Sequence, residues 1–202
     1  MRLAIGVTGG IATGKSTVTH ILQQQGYKVI DADQVARKVV RPHRRGWKKV
    51  VKAFGDTILQ PDKQLDRQRL GQIVFNNPER LQQLNQILQP LIRQRLTYQI
   101  QHVPNDNRPV FFEIPLLFEQ NYQSLLQKTI LVYAKLPVQL QRLQERNHLS
   151  VQQAQQRINS QMDLQQKRQL ADFVIDNSDG LTSLYPQIEQ VLKNLLKGGS
   201  EK

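Results

Sequence analysis

Five apolar runs alternate along this chain with segments whose apolar residues follow a helical period. The first run is Leu3–Val7, and the others lie within residues 27–33, 108–119, 129–136 and 171–177. Each run has the length and composition of a buried strand. The segment from Lys15 to Gln25 instead repeats its apolar residues every three or four positions, which predicts a helix that Gly26 ends. Strands that alternate with helices predict an α/β fold with a five-stranded parallel sheet flanked by helices.

A mainly helical insertion of about residues 35–105 separates the second and third predicted strands. Within it, Gly55, Pro61, Pro78 and Pro90 are predicted to mark breaks between short helices. At 202 residues the chain suits one domain. Its core is predicted at about residues 1–34 and 106–202, and the terminal sequence GGSEK is expected to be frayed.

The first predicted strand is followed by GGIATGKST, in which Gly9, Gly14, Lys15 and Ser16 fit the pattern G-x-x-x-x-G-K-[ST]. Because the match stands between a strand and a helix, it predicts a phosphate-binding loop and a fold of the P-loop NTPase type. In such a loop, backbone N–H groups surround the phosphates and the lysine reaches the β and γ groups. We expect Ser16 to ligate Mg²⁺ and Thr17 to donate to the α-phosphate. The alternative is a chance glycine-rich turn.

Acidic residues follow the second and third predicted strands, at the sheet edge where open α/β sheets bind ligands. If the second strand continued through them, Asp31 and Asp33 would point the same way. Asp33 is then a candidate general base for a hydroxyl that attacks the γ-phosphate, and the alternative is a helix-capping role. Glu113 resembles the acid that holds Mg²⁺ directly or through water. Glu119 lies six residues after Glu113 and is a further candidate site residue. The alternative is that it is a solvated surface glutamate.

A second predicted helical segment, about residues 138–165, carries arginines after the fourth strand. Arg142 and Arg146 are four positions apart and share a helix face, which predicts a lid that closes over a triphosphate. The alternative is an exposed basic stripe. Ser150 and Gln153 form a capping box for the next helix, which is a structural role.

The formal charge of +12 predicts attraction to polyanions but does not choose among them. No stretch is apolar enough to span a bilayer, and the chain has no cysteine. We therefore expect a cytoplasmic protein without a membrane partner, disulfides or thiolate metal sites. The four histidines lack ligand spacing, so we assign no metal site to them. Trp47 is expected to pack against its own surroundings, although stacking on a base is the alternative.

Together these segments resemble the dephospho-coenzyme A kinase family along nearly the whole chain. The resemblance rests on TGGIATGKST, VIDADQVAR, QPLI, IPLLFE and QMDLQQKRQLADFVIDNSDG. It implies transfer of the γ-phosphate of ATP, with Mg²⁺, to the ribose 3′-hydroxyl of dephospho-CoA. It also implies that the helical insertion binds the acceptor, that no nucleic acid is bound, and that the protein is a monomer or a weak homo-oligomer.

Carried over residue by residue, the resemblance assigns catalysis to Asp33, Lys15 and Arg142. It implies an ATP site that contains Gly10, Ile11, Ala12, Thr13, Gly14, Lys15, Ser16, Thr17, Arg142, Arg146 and Asn177. It implies an acceptor site that contains Thr8, Asp33, Arg37 and Glu119, and a Mg²⁺ site at Ser16 and Glu113.

Three positions depart from the family pattern. Gln89 stands where a histidine usually begins the QPLI motif, so an imidazole function there is absent or reduced to hydrogen bonding. Ala12 replaces a common loop glycine, which is tolerable if its φ is negative. Glu113 occupies a place often taken by aspartate, so its metal contact is expected to be indirect.

Other classes of protein remain as alternatives. Another small-molecule or nucleotide kinase shares the same loop, lid and insertion. A GTP switch would need an N-K-x-D tetrapeptide, which is absent from the sequence. A nucleic-acid-binding protein is suggested by the basic run from Arg37 to Lys49, which the pyrophosphate of the acceptor also explains.

Overall fold

The computed structural model describes residues 2–75 and 77–197. The expected fraying of the last five residues lies outside this part of the chain. The strands are β1 Ala4–Gly9, β2 Lys28–Asp31, β3 Val110–Glu113, β4 Lys128–Tyr133 and β5 Phe173–Asp176. The helices are α1 Lys15–Gln24, α2 Ala32–Val39, α3 Arg45–Phe54, α4 Arg67–Phe75, α5 Pro78–Gln101, α6 Leu136–Asn147, α7 Val151–Asn159, α8 Leu164–Leu170 and α9 Leu181–Lys197. Short 3-10 helices occupy Asp56–Ile58 and Gln123–Leu125.

The five strands form one parallel sheet in the order β2-β3-β1-β4-β5, so the predicted fold is confirmed. The register pairs Val7 with Glu113 and Asp31 with Glu113. The central strand β1 lies between β3 and β4, where the strand order reverses. Ligands of open α/β sheets bind at such a switch point, beyond the carboxyl ends of the strands.

The chain divides into two compact units, one of residues 1–31 and 102–202 and the other of residues 32–101. In the first unit, the apolar faces of α1 and α9 pack on the sheet. Val18 and Leu22 of α1 and Leu184 of α9 are buried with Ile5 and Val132 of the strands. This core fixes the end of β1 and the start of α1, and therefore the loop between them.

The second unit has a separate hydrophobic core, formed by residues of α2 to α5 and the turn around Ile58. The side chain of Trp47 packs against this core, and its Nε1 donates to the Lys63 carbonyl over 2.8 Å. The structure therefore supports packing as the role of Trp47. Gly55 and Pro78 lie at helix boundaries as predicted, at the end of α3 and the start of α5.

The predicted break at Pro90 is wrong, because α5 continues through it for 24 residues. Proline removes the hydrogen bond of one N–H group to the carbonyl four residues earlier and disfavours a helix interior. Here α5 packs against α2, α3 and α4, and this tertiary packing outweighs the local penalty.

Asp172 joins the start of β5 to the start of β4. Its carboxylate accepts hydrogen bonds from the Thr129 backbone N–H over 2.8 Å and the Thr129 hydroxyl over 2.9 Å, and it pairs with the Lys128 ammonium over 2.7 Å. Burial raises the pKa of Asp172, but these hydrogen bonds and the charge of Lys128 outweigh it and hold that pKa below its usual value. The carboxylate is therefore more stable in the folded than in the unfolded chain.

We expect Asp172→Asn to lower the free energy of unfolding at pH 7 by about 1–2 kcal/mol, as the loss of a charged hydrogen-bond acceptor does. Because the pKa of Asp172 is depressed by folding, its contribution is present above the unfolded pKa of about 4 and is lost as the pH falls through the folded value. Denaturant titrations of both proteins between pH 7 and about pH 3 measure this. A stability difference that did not shrink with acidification would contradict the assignment.

Candidate active site

The loop between β1 and α1 leads directly into the first turn of the helix. Gly14 stands at the N-cap of α1 in the left-handed conformation, with φ 86° and ψ 26°, and no side chain caps the helix there. The buried Thr13 hydroxyl donates to the Gly10 carbonyl over 3.0 Å and holds the loop closed. An uncapped helix N-terminus inside a closed loop is an arrangement that accepts an anion.

The condition under which Ala12 would be tolerated without strain, a negative φ, is not met, because its φ is 59°. A left-handed residue with a Cβ costs roughly 1–2 kcal/mol relative to glycine. The hydrogen bond of the next residue, Thr13, to Gly10 closes the turn that imposes this conformation. The alanine therefore keeps the shape of the glycine loop at an energetic cost.

Asn177, which follows β5, lies against the loop. Its Nδ2 donates to the Thr13 carbonyl over 2.8 Å, and a Cβ at Gly14 would overlap this amide group. The carbonyl of Asn177 accepts a hydrogen bond from Nη2 of Arg142 over 2.9 Å. Gly14 is thus required both by its positive φ and by the close approach of Asn177.

Arg142 of α6 presents an unused donor next to the loop. Its Nη1 is buried and has no hydrogen-bond partner among the described residues. It lies 3.8 Å from the position that a Cβ at Gly14 would occupy. A buried guanidinium donor without an acceptor is costly by itself, so this geometry fits an anionic ligand in the loop.

Lys15 and Glu113 form an ion pair at the carboxyl ends of β1 and β3. The Lys15 ammonium donates to Oε1 of Glu113 over 2.7 Å, and the Thr19 hydroxyl donates to Oε2 over 2.7 Å. Both charged side chains are mostly buried, with 16% and 14% of their surfaces exposed. Both carboxylate oxygens of Glu113 are thus oriented by α1, the helix that begins at the loop.

Two other predicted residues of the first unit have defined partners. The fully buried Thr8 hydroxyl of β1 donates to the Pro115 carbonyl over 3.1 Å. Ser16 is exposed in the first turn of α1, and its carbonyl accepts a hydrogen bond from the Thr19 hydroxyl over 3.2 Å. Arg146 is exposed, and its Nε donates to Oδ1 of its neighbour Asn147 over 2.9 Å.

Glu119 is held by a residue that the sequence did not indicate. Its Oε1 lies 2.7 Å from the ammonium of Lys167, which is fully buried, and accepts the Met162 N–H over 3.3 Å. These contacts fasten α8, and the turn before it, to the segment that follows β3. Lys167 lies in a polar helical stretch, where a lysine ordinarily indicates a solvated face, so the pattern gave no signal of its burial.

Gln161 is a second residue whose contact with the site the sequence did not indicate. Its Oε1 accepts the backbone N–H of Ile11, in the phosphate-binding loop, over 3.1 Å. Gln161 lies between α7 and α8, and the predicted capping box of Ser150 and Gln153 begins α7 as expected. Gln161 is therefore one of the side chains through which the segment predicted as a lid contacts the loop, and only the family resemblance covered it.

Asp33, Arg37 and Gln89 belong to the second unit. The expectation that β2 runs through Asp33 is wrong, because β2 ends at Asp31 and α2 begins at Ala32. Asp33 lies in the first turn of α2, where a carboxylate also favours the helix dipole, and Arg37 lies in its last turn. Gln89 lies within α5.

The described residues contain neither a cluster of metal ligands nor a membrane-spanning helix. No group of three or more histidine, aspartate or glutamate side chains in residues 2–75 and 77–197 is arranged to hold a metal ion. None of the helices described is both long and apolar enough to cross a membrane.

A family model described as dephospho-CoA kinase matches residues 3–183 of the chain. The dephospho-CoA kinase of Oceanobacillus iheyensis is 44% identical over 194 residues, which are 96% of this chain and 98% of that protein. The dephospho-CoA kinase of Helicobacter pylori is 41% identical over 198 residues, which are 97% of this chain and 99% of that protein.

Solved structures agree with the sequence matches. A dephospho-CoA kinase from Campylobacter jejuni superposes with a TM-score of 0.77 and 35% identity, covering 98% of this chain and all of that one. A shikimate kinase from Acinetobacter baumannii superposes with a TM-score of 0.55 and 15% identity, covering all of this chain and 97% of that one. The second likeness shows a shared fold alone.

Proposed function

Since the chain belongs to the dephospho-CoA kinase family, we propose that it transfers the γ-phosphate of ATP to the ribose 3′-hydroxyl of dephospho-CoA. The products are coenzyme A and ADP, and the reaction is the last step of coenzyme A synthesis. The observation that carries the proposal is the buried Nη1 of Arg142, which lies beside the closed loop before α1 and has no hydrogen-bond partner in the described part of the chain. This donor and the loop together supply positive charge where a triphosphate would lie.

In this proposal the loop from Gly10 to Thr17 binds the phosphates of ATP. The uncapped start of α1 supplies N–H donors, and the Lys15 ammonium reaches the β and γ groups. Asn177 lies next to the same loop, so we place the adenine beside it. Gln161 holds the Ile11 N–H and thereby orients the entrance of the loop.

Arg142 and the helices around it supply the lid, which we place at about residues 138–165. Arg142 is anchored through Nη2 to the Asn177 carbonyl, so Nη1 is held ready for a phosphate oxygen. A guanidinium fixed in this way stabilises the charge that develops as the γ-phosphate moves. Arg146 is exposed at the end of α6, and its proposed part in binding ATP requires that it leave Asn147.

Ser16 and Glu113 are the residues that would hold Mg²⁺. The exposed Ser16 hydroxyl begins α1, and the carboxylate of Glu113 is oriented by hydrogen bonds at the same sheet edge. Because both oxygens of Glu113 already accept hydrogen bonds, contact through a water fits this carboxylate better than direct ligation. The ion would neutralise phosphate charge during transfer.

Asp33 is proposed as the general base on the acceptor side, together with Thr8, Arg37 and Glu119. Its carboxylate takes the proton of the ribose 3′-hydroxyl as that oxygen bonds to the γ-phosphorus. The bond from the γ-phosphorus to the bridging oxygen breaks, and ADP leaves with the electron pair. Among these four residues, Glu119 is tied to Lys167, which favours a supporting position for it.

A parallel acceptor assay tests the function. Purified protein is given ATP and Mg²⁺ with dephospho-CoA, adenosine, a nucleoside monophosphate or pantetheine phosphate, and ADP release is measured with a coupled enzyme. We expect dephospho-CoA to give the highest kcat/KM by at least about 100-fold, because a missing set of binding contacts costs several kcal/mol. A higher kcat/KM with one of the other acceptors would identify a different small-molecule kinase.

A further inference from the structure

A fully buried ammonium lies outside the phosphate-binding loop and has no part in the proposed reaction. It belongs to Lys167 of α8, whose side chain has 0% of its surface exposed. Its one ion-pair partner in the described part of the chain is Glu119, with Oε1 at 2.7 Å, and no described group accepts an aligned hydrogen bond from it. An ammonium in the interior loses its hydration, and a single carboxylate offsets that loss only in part. The burial of Lys167 therefore needs a reason other than surface charge.

Stability alone does not account for the pair of Lys167 and Glu119. The attraction between two buried ions is largely cancelled by their lost hydration, so apolar residues of similar size often leave a protein as stable or make it more stable. The pair instead fixes a position. Oε1 of Glu119 also accepts the Met162 N–H over 3.3 Å, so the carboxylate connects α8 to the residue two positions before that helix.

The turn before α8 contacts the phosphate-binding loop directly. Oε1 of Gln161 accepts the Ile11 N–H over 3.1 Å. The buried side chain of Leu164 lies 3.2 Å from the position that a Cβ at Gly10 would occupy. Two consecutive residues of the loop are thus in contact with residues 161–164, which we call the bracing turn.

The bracing turn contacts the loop beside its strained residue. Ala12 follows Ile11 and has a φ of 59°, a left-handed conformation that is unfavourable for a residue with a Cβ. Such a conformation persists only where the surrounding structure imposes it. On one side of Ala12 the Thr13 hydroxyl bonds to the Gly10 carbonyl. On the other side Gln161 holds the Ile11 N–H, so the bracing turn supplies one of the contacts that keep the loop in this shape.

We propose that Lys167 is a positioning residue for the phosphate-binding loop and that it acts through Glu119 and the bracing turn. Lys167 fixes the Glu119 carboxylate, which in turn fixes Met162. The preceding residue, Gln161, then lies where it holds the loop. A buried charge thereby keeps Ala12 in its left-handed conformation before ATP arrives, and a preorganised site binds more tightly because binding does not have to shape it. The inference rests on the proposed function in taking ATP as the ligand of the loop.

The variant Lys167→Met tests the proposal, because methionine has nearly the length of lysine and no charge. The dissociation constant of a fluorescent ATP analogue, measured without any acceptor, should rise about 5- to 30-fold, the factor that corresponds to the cost of a left-handed residue with a Cβ. Arg168→Met is the matched control. It removes the same charge from the next residue of α8, which is exposed, and should leave the dissociation constant within about twofold.

Two more variants test the route from Lys167 to the loop. Glu119→Leu combined with Lys167→Met leaves no unpaired buried ion, so it should be at least as stable as Lys167→Met and show the same loss of affinity for ATP. Gln161→Ala removes the contact with the loop itself and should weaken ATP binding to the same extent. Adding Lys167→Met to Gln161→Ala should cause no further loss, because both changes act on one contact. Losses that multiply in this double variant would overturn the proposal.

Ala12→Gly distinguishes a role in the loop from a general effect on folding. Glycine adopts a positive φ without the Cβ penalty, so the loop no longer depends on the bracing turn. In that background Lys167→Met should weaken ATP binding by less than about threefold. A lysine that only stabilised α8 would lower the thermal unfolding temperature and the affinity for ATP equally in both backgrounds. Equal losses of affinity with alanine and with glycine at position 12 would therefore overturn the proposal.

Failure of this inference can be distinguished from failure of the proposed function, because the affinity for ATP is measured without an acceptor. A wild-type protein that binds the ATP analogue but does not phosphorylate dephospho-CoA contradicts the proposed function alone. An active wild type whose affinity for the analogue is unchanged by Lys167→Met overturns the inference alone. A wild-type protein that does not bind the analogue overturns both.

Discussion

Replacing Lys15 by alanine is expected to lower kcat/KM by about 10²- to 10³-fold, the usual effect of removing one donor from developing transition-state charge. Lys15 is the first residue of α1, and its ammonium lies 2.7 Å from Oε1 of Glu113. In our proposal the loop holds the phosphates at this edge of the sheet. No other lysine of the described residues lies in this loop. The loss should appear mainly in kcat, because the lysine acts on charge that grows during transfer.

Lys128 provides a matched control for Lys15. It also forms an ion pair at 2.7 Å, with Asp172, but it lies at the opposite, amino-terminal end of its strand. Lys128→Ala therefore removes an equally close ion pair from the same sheet and should leave kcat/KM within about twofold. Initial rates with dephospho-CoA and thermal unfolding of both variants complete the test. If Lys15→Ala kept full activity while folded, the loop would not bind the phosphates as proposed.

The sheet could be predicted from the sequence because apolar residues occupy the middle of each strand. Strands buried on both faces have few polar positions, and this holds for β1, β3 and β4, whose central residues are fully buried. The boundaries at Asp33 and Pro90 could not be predicted. Both depend on the packing of α2 and α5 within the second unit, which outweighs the local preferences of a strand and of a proline.

The phosphate-binding loop was predictable since its function imposes a fixed spacing of glycine, lysine and hydroxyl residues on adjacent positions. The contacts of Gln161 and Lys167 were not, because they join residues 150 and 48 positions apart along the chain. A glutamine and a lysine within a polar helical stretch look alike whether they are solvated or buried. Their contacts with Ile11 and Glu119 follow from the tertiary structure and not from the local sequence.

The second large effect is expected from Asp33→Asn, which should reduce kcat by about 10²- to 10⁴-fold with little change in the binding of ATP. Asparagine has nearly the shape of aspartate but cannot take the proton of the attacking hydroxyl. Asp33 lies in the first turn of α2, two residues after the last residue of β2. Turnover with dephospho-CoA and titration with a fluorescent ATP analogue measure the two quantities.

Two further variants separate a base from a helix cap at Asp33. Asn is as good an N-terminal cap as Asp, so a capping role alone predicts that Asp33→Asn keeps its stability and its turnover. Asp33→Glu retains a carboxylate and should recover part of the kcat that Asn loses. Asp56→Asn makes the same charge change at an exposed position of the second unit and should leave kcat unchanged. Turnover of Asp33→Asn within about fivefold of the wild type would mean that Asp33 positions the acceptor or caps α2 and that the hydroxyl loses its proton elsewhere.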